Sequence, residues 1–180
     1  TFTMFTRDAF DGQERGRTLR VDVVDCTWLR PGATGDGRGP AVAQAFGNAR
    51  NAIGAAQNQG NSVCIAGTGR VTTGTDLHVP NPVSISGGLN TSGIPISGRP
   101  TLVFNGASRL VLRAGYSGRL QRMIIAAAEP KTLVDIEDAS PRFVGMQFIL
   151  PDGGTSQAIT VVNRLPDDQT VTLSASEITS

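Results

Sequence analysis

The chain has 180 residues, with 16 basic and 15 acidic side chains and a formal net charge of +1. Such a balance gives no general basic field, so sequence-independent attachment to nucleic acid or to an anionic membrane surface is not expected. Aromatics make up only 5% while glycine counts 22 and proline 10, which describes a core of small side chains between frequent turns, in one domain.

Residues 1–20 are polar and charge-rich, with isolated Phe2, Phe5 and Phe10 and no sustained period. They read as an arm that becomes ordered by packing on a neighbour. No apolar run reaches the roughly 20 residues of a membrane span, and no charged-then-apolar leader opens the chain, so membrane insertion is not expected. Leu19–Asp25 alternates, with Leu19, Val21 and Val23 on one face, and predicts a leading strand. Trp28, the sole tryptophan, precedes a Gly/Asp loop (residues 31–40) and is expected to anchor it against the helix that follows. Gly35, Asp36 and Gly37 lack the lysine of a phosphate loop and the ligand spacing of a calcium loop. They read as a structural turn, with glycines at positive φ and Asp36 accepting backbone N–H groups.

A helix is predicted over about Pro40–Gln57, with Val42, Ala45, Phe46, Ala49, Ile53 and Ala56 on one face and Gly60 as its stop. Beyond Gly60 short apolar runs begin at Val63, Val83, Leu102, Met123 and Phe143, at intervals of 20, 19, 21 and 20 residues. A second series (Val71, Leu110, Leu133, Val171) falls between members of the first. Fixed-period runs separated by glycine turns predict a repeat architecture, here a β-solenoid of about five coils. An antiparallel sandwich gives strands every 8–12 residues but not two interleaved registers. Cys26 and Cys64 are too few for a disulfide framework or a metal site. Cys64, between Val63 and Ile65, reads as a buried small thiol, with a bridge to Cys26 as the alternative.

The segment from Val21 to Gly87 resembles the start of the right-handed parallel β-helix proteins of the pectate-lyase-like superfamily, which includes bacteriophage tailspikes and polysaccharide lyases or epimerases. The matching residues are Val23-Val24, Gly32-Ala-Thr-Gly-Asp-Gly37, the helix from Ala41 to Ala56, Val63-Cys-Ile-Ala-Gly-Thr-Gly69, Leu77-His-Val-Pro80 and Val83-Ser-Ile-Ser-Gly87. Two departures stand out: Arg38-Gly-Pro40 where the family often has acids, and Gly69 where it has an aromatic. The resemblance implies an all-β fold, a right-handed parallel β-helix with an N-terminal capping α-helix. Its parts would be an arm at 1–20, a leading strand, loop and capping helix at 21–60, and coils from 61 to 180. The strand-like Val171–Ser180 carries no cap, which predicts a fragment of a longer spike or last coils covered by partner subunits.

Asp135 and Glu137 alternate with Val134 and Ile136, so both point outward, and paired carboxylates are the groups glycan hydrolysis requires. They are the catalytic candidates, against the plainer reading of a solvated strand face. Arg109 and Arg113, with Arg119 and Arg122, are candidates for binding an anionic polysaccharide, against surface solvation or pairing between subunits. His78 is the sole histidine, expected at an exposed strand edge, so no triad with a second histidine exists. No metal or cofactor is expected. The resemblance implies a virion structural protein, the proximal part of a phage tailspike or tail fibre. It would be a homotrimer joined to other tail proteins through its arm and attached to host-surface glycans. The alternatives are a secreted protein of the same fold, either a polysaccharide-degrading lyase, hydrolase or epimerase or an adhesin.

Overall fold

A computed structural model describes residues 2–7, 14–19, 25–152, 155–164 and 170–179. In the first segments, β1 (Phe2–Arg7) and β2 (Glu14–Leu19) pair antiparallel, where the sequence suggested an arm without period. The strand expected at Leu19–Asp25 lies, beyond Leu19, outside the described residues up to Asp25. The strand that leads into the main body is β3 (Cys26–Leu29).

The main body is built from strand triplets. β4 (Ser62–Ala66), β5 (Arg70–Thr73) and β6 (Leu77–His78) form the first; β7 (Ile85–Leu89), β8 (Thr101–Phe104) and β9 (Leu110–Leu112) the second. β10 (Arg119–Gln121), β11 (Ile124–Ala127) and β12 (Thr132–Glu137) form the third. β13 (Arg142–Val144), β14 (Gln147–Ile149) and β15 (Gln157–Val162) form the fourth, and β16 (Thr172–Ser174) and β17 (Glu177–Thr179) begin a fifth. Each triplet adds one strand to each of three parallel sheets. Their orders are β3-β4-β7-β10-β13-β16, β5-β8-β11-β14-β17 and β6-β9-β12-β15. This is a mostly-β chain of stacked parallel strands, compatible with a β-helix.

The core runs through the middle of the stack. In the first sheet Val63, Ile85, Leu120 and Phe143 follow one another in register and are all buried. Val71, Leu102, Ile125 and Phe148 do the same in the second sheet, and Leu77, Leu110 and Val134 in the third. The true repeat is therefore not the 20-residue series. Val63, Ile85, Leu120, Phe143 and Leu173 are separated by 22, 35, 23 and 30 residues. The apparent series mixed sheets, because Val63 and Phe143 belong to the first and Leu102 to the second, while Val83 and Met123 are buried outside strands. What recurs is a short triplet, lengthened where loops such as residues 90–100 are inserted.

The corner from first to second sheet repeats one backbone device. Gly67, Gly88, Arg122, Gly145 and Ala175 all have positive φ, between 48° and 80°. Glycine fills three of these five positions, Gly88 near the end of β7 and the other two between strands, because the left-handed region costs it nothing. At Gly88 a side chain is also excluded by space, since its Cβ would sit 2.4 Å from the Gly98 carbonyl oxygen. Arg122 takes the same conformation and donates from its guanidinium to the Ile96 carbonyl.

The helix α1 spans Ala49–Gln59, starting nine residues later than Pro40. Asn48 caps it by accepting from the Arg50 and Asn51 N–H groups, and Gly60 (φ 69°) ends it. Residues 41–46 are not helical because their backbone is committed elsewhere: Phe46 N–H donates to Trp28 and Arg30 N–H donates to Phe46. Gly47 follows where an added Cβ would lie 2.1 Å from the Ala33 carbonyl oxygen. Accordingly Val42 is 48% exposed, whereas Ala45, Ala49, Ile53 and Ala56 are buried, and Ala52 joins them. The helix packs on β3, β4 and β6, its small side chains closing the near end of the core over Leu29, Val63, Ile65 and Leu77.

Tyr116 is the one phenol buried in the stack, its O–H donating to the Val83 carbonyl at 2.9 Å. Burial pushes its pKa well above the ordinary phenol value of 10.0. The folded state holds the phenol proton longer than the unfolded one, so the stability it confers is complete below pH 10 and falls as pH rises further. Thermal melts across this alkaline range are expected to show a decline that is smaller in Tyr116→Phe; identical slopes would refute the assignment.

Candidate functional site

Both sets of predicted site residues meet on the outer face of the third sheet. Within β12, Val134 and Ile136 face the core, so Asp135 and Glu137 face out, as strand alternation requires. β9 and the residues flanking it bring Arg109 and Arg113 alongside. Arg113 spans both carboxylates: Nη2 to Asp135 Oδ2 at 3.1 Å and Nη1 to Glu137 Oε2 at 3.5 Å. Arg109 Nη1 approaches Asp135 Oδ2 at 3.9 Å, and Arg164 Nη1 reaches Glu137 Oε1 at 2.8 Å. Arg164 was not foreseen; it follows the fourth strand of this sheet by two residues, which only the stacking reveals.

The result is an ion-pair row of two carboxylates and three guanidiniums. Asp135 and Glu137 keep 19% and 28% of their side-chain surface, while Arg109 and Arg113 keep 41% and 45%. The carboxylates are thus the inner members and the arginines the outer ones. Chemically the row presents cationic forks to solvent above anions already engaged, which suits holding a polar ligand better than transferring a proton to one. Arg109 is further fixed by its own N–H donating to Asp76 Oδ1 at 3.1 Å.

His78 lies exposed in β6 and lines a groove of about 280 Å³ between α1 and the third sheet, together with Arg50, Gln57, Pro80, Val111 and Arg113. His78 registers with Val111, which registers with Asp135, so the histidine is two strands from the carboxylate. The remaining arginines go elsewhere: Arg119 to the outer face of the first sheet and Arg122 to a corner.

In the loop ahead of α1, Gly37 has φ 87°, and its Cβ would strike the Phe46 ring. Gly35 is not at positive φ; it is small because a Cβ would lie 2.4 Å from the Gln44 backbone. Asp36 accepts from Arg38 N–H at 3.3 Å and pairs with Arg38 Nε at 2.8 Å. Trp28 bonds the loop through its backbone, donating to the Gly37 carbonyl and accepting from Phe46. Its half-buried ring lies near Gly93 of the inserted loop.

Cys26 and Cys64 form a disulfide, with Cα atoms 5.5 Å apart. Cys64 is buried, but it is not a free thiol. The pairing of β3 with β4 puts Cys26 beside Ser62, one outward position from Cys64. The sequence separation of 38 residues concealed this adjacency.

No family model matches this chain, and no curated protein or solved structure matches it either. The three stacked parallel sheets are compatible with a β-helix-like solenoid.

Proposed function

We propose that the chain is the helix-capped beginning of a right-handed parallel β-helix serving as a structural and host-recognition protein of the phage tailspike type, in which three copies associate. The observation that carries this reading is the combination of three stacked parallel sheets closed at one end by a helix and bearing outward rows of polar side chains. The disulfide supports a setting outside the reducing cytoplasm, such as a virion or cell surface. Engagement of both candidate carboxylates by arginine favours binding over hydrolysis. Mass photometry should find a particle of three 18.8 kDa chains; a monomer of full thermal stability would sink the assembly.

A second reading, a polysaccharide-degrading enzyme, is favoured by one feature. Asp135 and Glu137 stand two residues apart on one outward face, roughly 7 Å by strand rise, a spacing open to a water between two carboxylates. On the binding reading, Asp135→Asn and Glu137→Gln change stability by no more than about 1 kcal/mol each, as partly exposed ion pairs do. They also leave a capsular-polysaccharide digest at the baseline of the parent. Cleavage by the parent that either substitution abolishes would establish the enzyme instead.

A further inference from the structure

The turn that takes the chain from β8 in the second sheet to β9 in the third contains its one Asn-Gly step, Asn105-Gly106. Asn105 is exposed, and its side-chain amide has no partner among the described residues. The Gly106 N–H likewise donates to no acceptor among them. Gly106 has φ 56°, and nothing lies within 4 Å of the place its Cβ would take, so the nitrogen is open to approach.

The backbone around this step is held by specific donors. Asn105 N–H donates to the Thr73 carbonyl at 2.9 Å. The Asn105 carbonyl accepts twice from the buried Ser108, from Oγ at 2.6 Å and from the backbone N–H at 3.3 Å. The same hydroxyl also reaches the Thr73 carbonyl at 3.2 Å. Lys131, the sole lysine, donates from Nζ to the Phe104 carbonyl at 3.0 Å and to the Gly106 carbonyl. The Gly106 nitrogen is conjugated with the Asn105 carbonyl, so the charge left when it loses its proton spreads onto that oxygen. The Ser108 donors and the nearby Lys131 ammonium favour this charged form, as preorganised donors do for a developing oxyanion.

We propose that Asn105 is a site of spontaneous covalent modification, converted through a cyclic imide to isoaspartate and aspartate, with Ser108 as its positioning residue. Gly106 gives up its N–H proton to water or hydroxide, and its nitrogen bonds to Asn105 Cγ. The Cγ–Nδ2 bond breaks, and Nδ2 takes a proton and leaves as ammonia. Water then opens the imide: addition at the former backbone carbonyl gives isoaspartate, and addition at Cγ gives aspartate. Nothing is oxidised or reduced, and water is the co-reactant. It has access through a hollow of about 330 Å³ lined by Gly106, Arg109, Glu129 and Lys131 among others. Either product sets a new carboxylate near the Lys131 ammonium. In isoaspartate the carbonyl that Ser108 holds becomes that carboxylate, and the backbone of the turn gains a methylene. The proposal depends on neither functional reading above.

Peptide mass spectrometry of the full chain, incubated from neutral to alkaline pH, tests it. Asn105 is expected to gain the mass difference between an amide and an acid, faster as pH rises, because its attacking nitrogen must first lose a proton. Fragmentation should find isoaspartate beside aspartate, and Asn105→Ser should gain nothing there. Ser108→Ala should slow the gain about fivefold, as loss of one hydrogen bond to the charged form does. A turn merely loosened by that substitution would react faster, so slowing separates activation from packing. Thermal melts check that both variants are folded. Asn105 that stays intact in the folded chain while the urea-unfolded chain is modified there overturns the proposal. So does a rate in Ser108→Ala equal to or above that of the parent, or a rate that does not change with pH.

Discussion

Phe143→Ala is expected to destabilise the chain by about 3–5 kcal/mol, the cost of removing a fully enclosed ring and leaving a cavity. Phe143 is 0% exposed, in register between Leu120 and Leu173 in the first sheet. Its ring meets Phe148 from the second sheet edge-on, with centroids 5.7 Å apart and planes at 79°. That pair joins two sheets at one level, so the loss includes the aromatic contact as well as the buried area. The neighbour in the same row supplies the control: Leu173 is 48% exposed, and Leu173→Ala should cost under about 1 kcal/mol. Urea unfolding of both variants reads the difference. Similar losses at the two positions would mean that Phe143 does not sit in the interior described here. Because a domain's whole stability is about 5–15 kcal/mol, the Phe143 variant should be marginal at ordinary temperature.

Replacing both Cys26 and Cys64 with serine is expected to remove about 2–4 kcal/mol. The bridge closes a separation of 38 residues, for which the loop-entropy relation gives roughly 4 kcal/mol, and native-state relaxation lowers that figure. The effect should also be local. β3 is the outermost strand at its end of the first sheet, paired through four residues to β4 and tied by backbone bonds to the loop that precedes α1. Hydrogen exchange in the double-serine variant should show lost protection in Cys26–Leu29 and α1, with β10 and β13 unaffected. Reduction of the parent should reproduce the same pattern. Equal melting temperatures with and without reductant would show that the bridge does not hold the near end together.

Much of the architecture was legible, and the misses are instructive. Glycines after short apolar runs were expected to mark turns, and Gly67 and Gly145 do sit at corners, because left-handed backbone favours glycine. Arg122 and Ala175 turn the same corner without announcing it, held by stacking on the turns beside them. The start of the helix was misplaced for a similar reason. Pro40–Phe46 has a helical apolar period, but the Val42, Gln44 and Ala45 carbonyls accept from Thr34, Gly37 and Gly35 of the preceding loop and Phe46 N–H donates to Trp28, a competition no local pattern displays. The coil period was misjudged because triplets of unequal length place neighbouring strands anywhere from 22 to 35 residues apart.

The outward alternation of Asp135 and Glu137 was readable from a single strand, since side chains switch faces at every residue. Their arginine partners come from other strands, and register across the stack decides them. The same holds for Arg119 beside Arg142 and Cys26 beside Cys64. By itself the sequence determined that the chain is mostly short strands with glycine corners and one helix, because those preferences are local. Only the tertiary structure decided which distant side chains become neighbours, because parallel stacking converts separations of 20 to 40 residues into a single strand spacing.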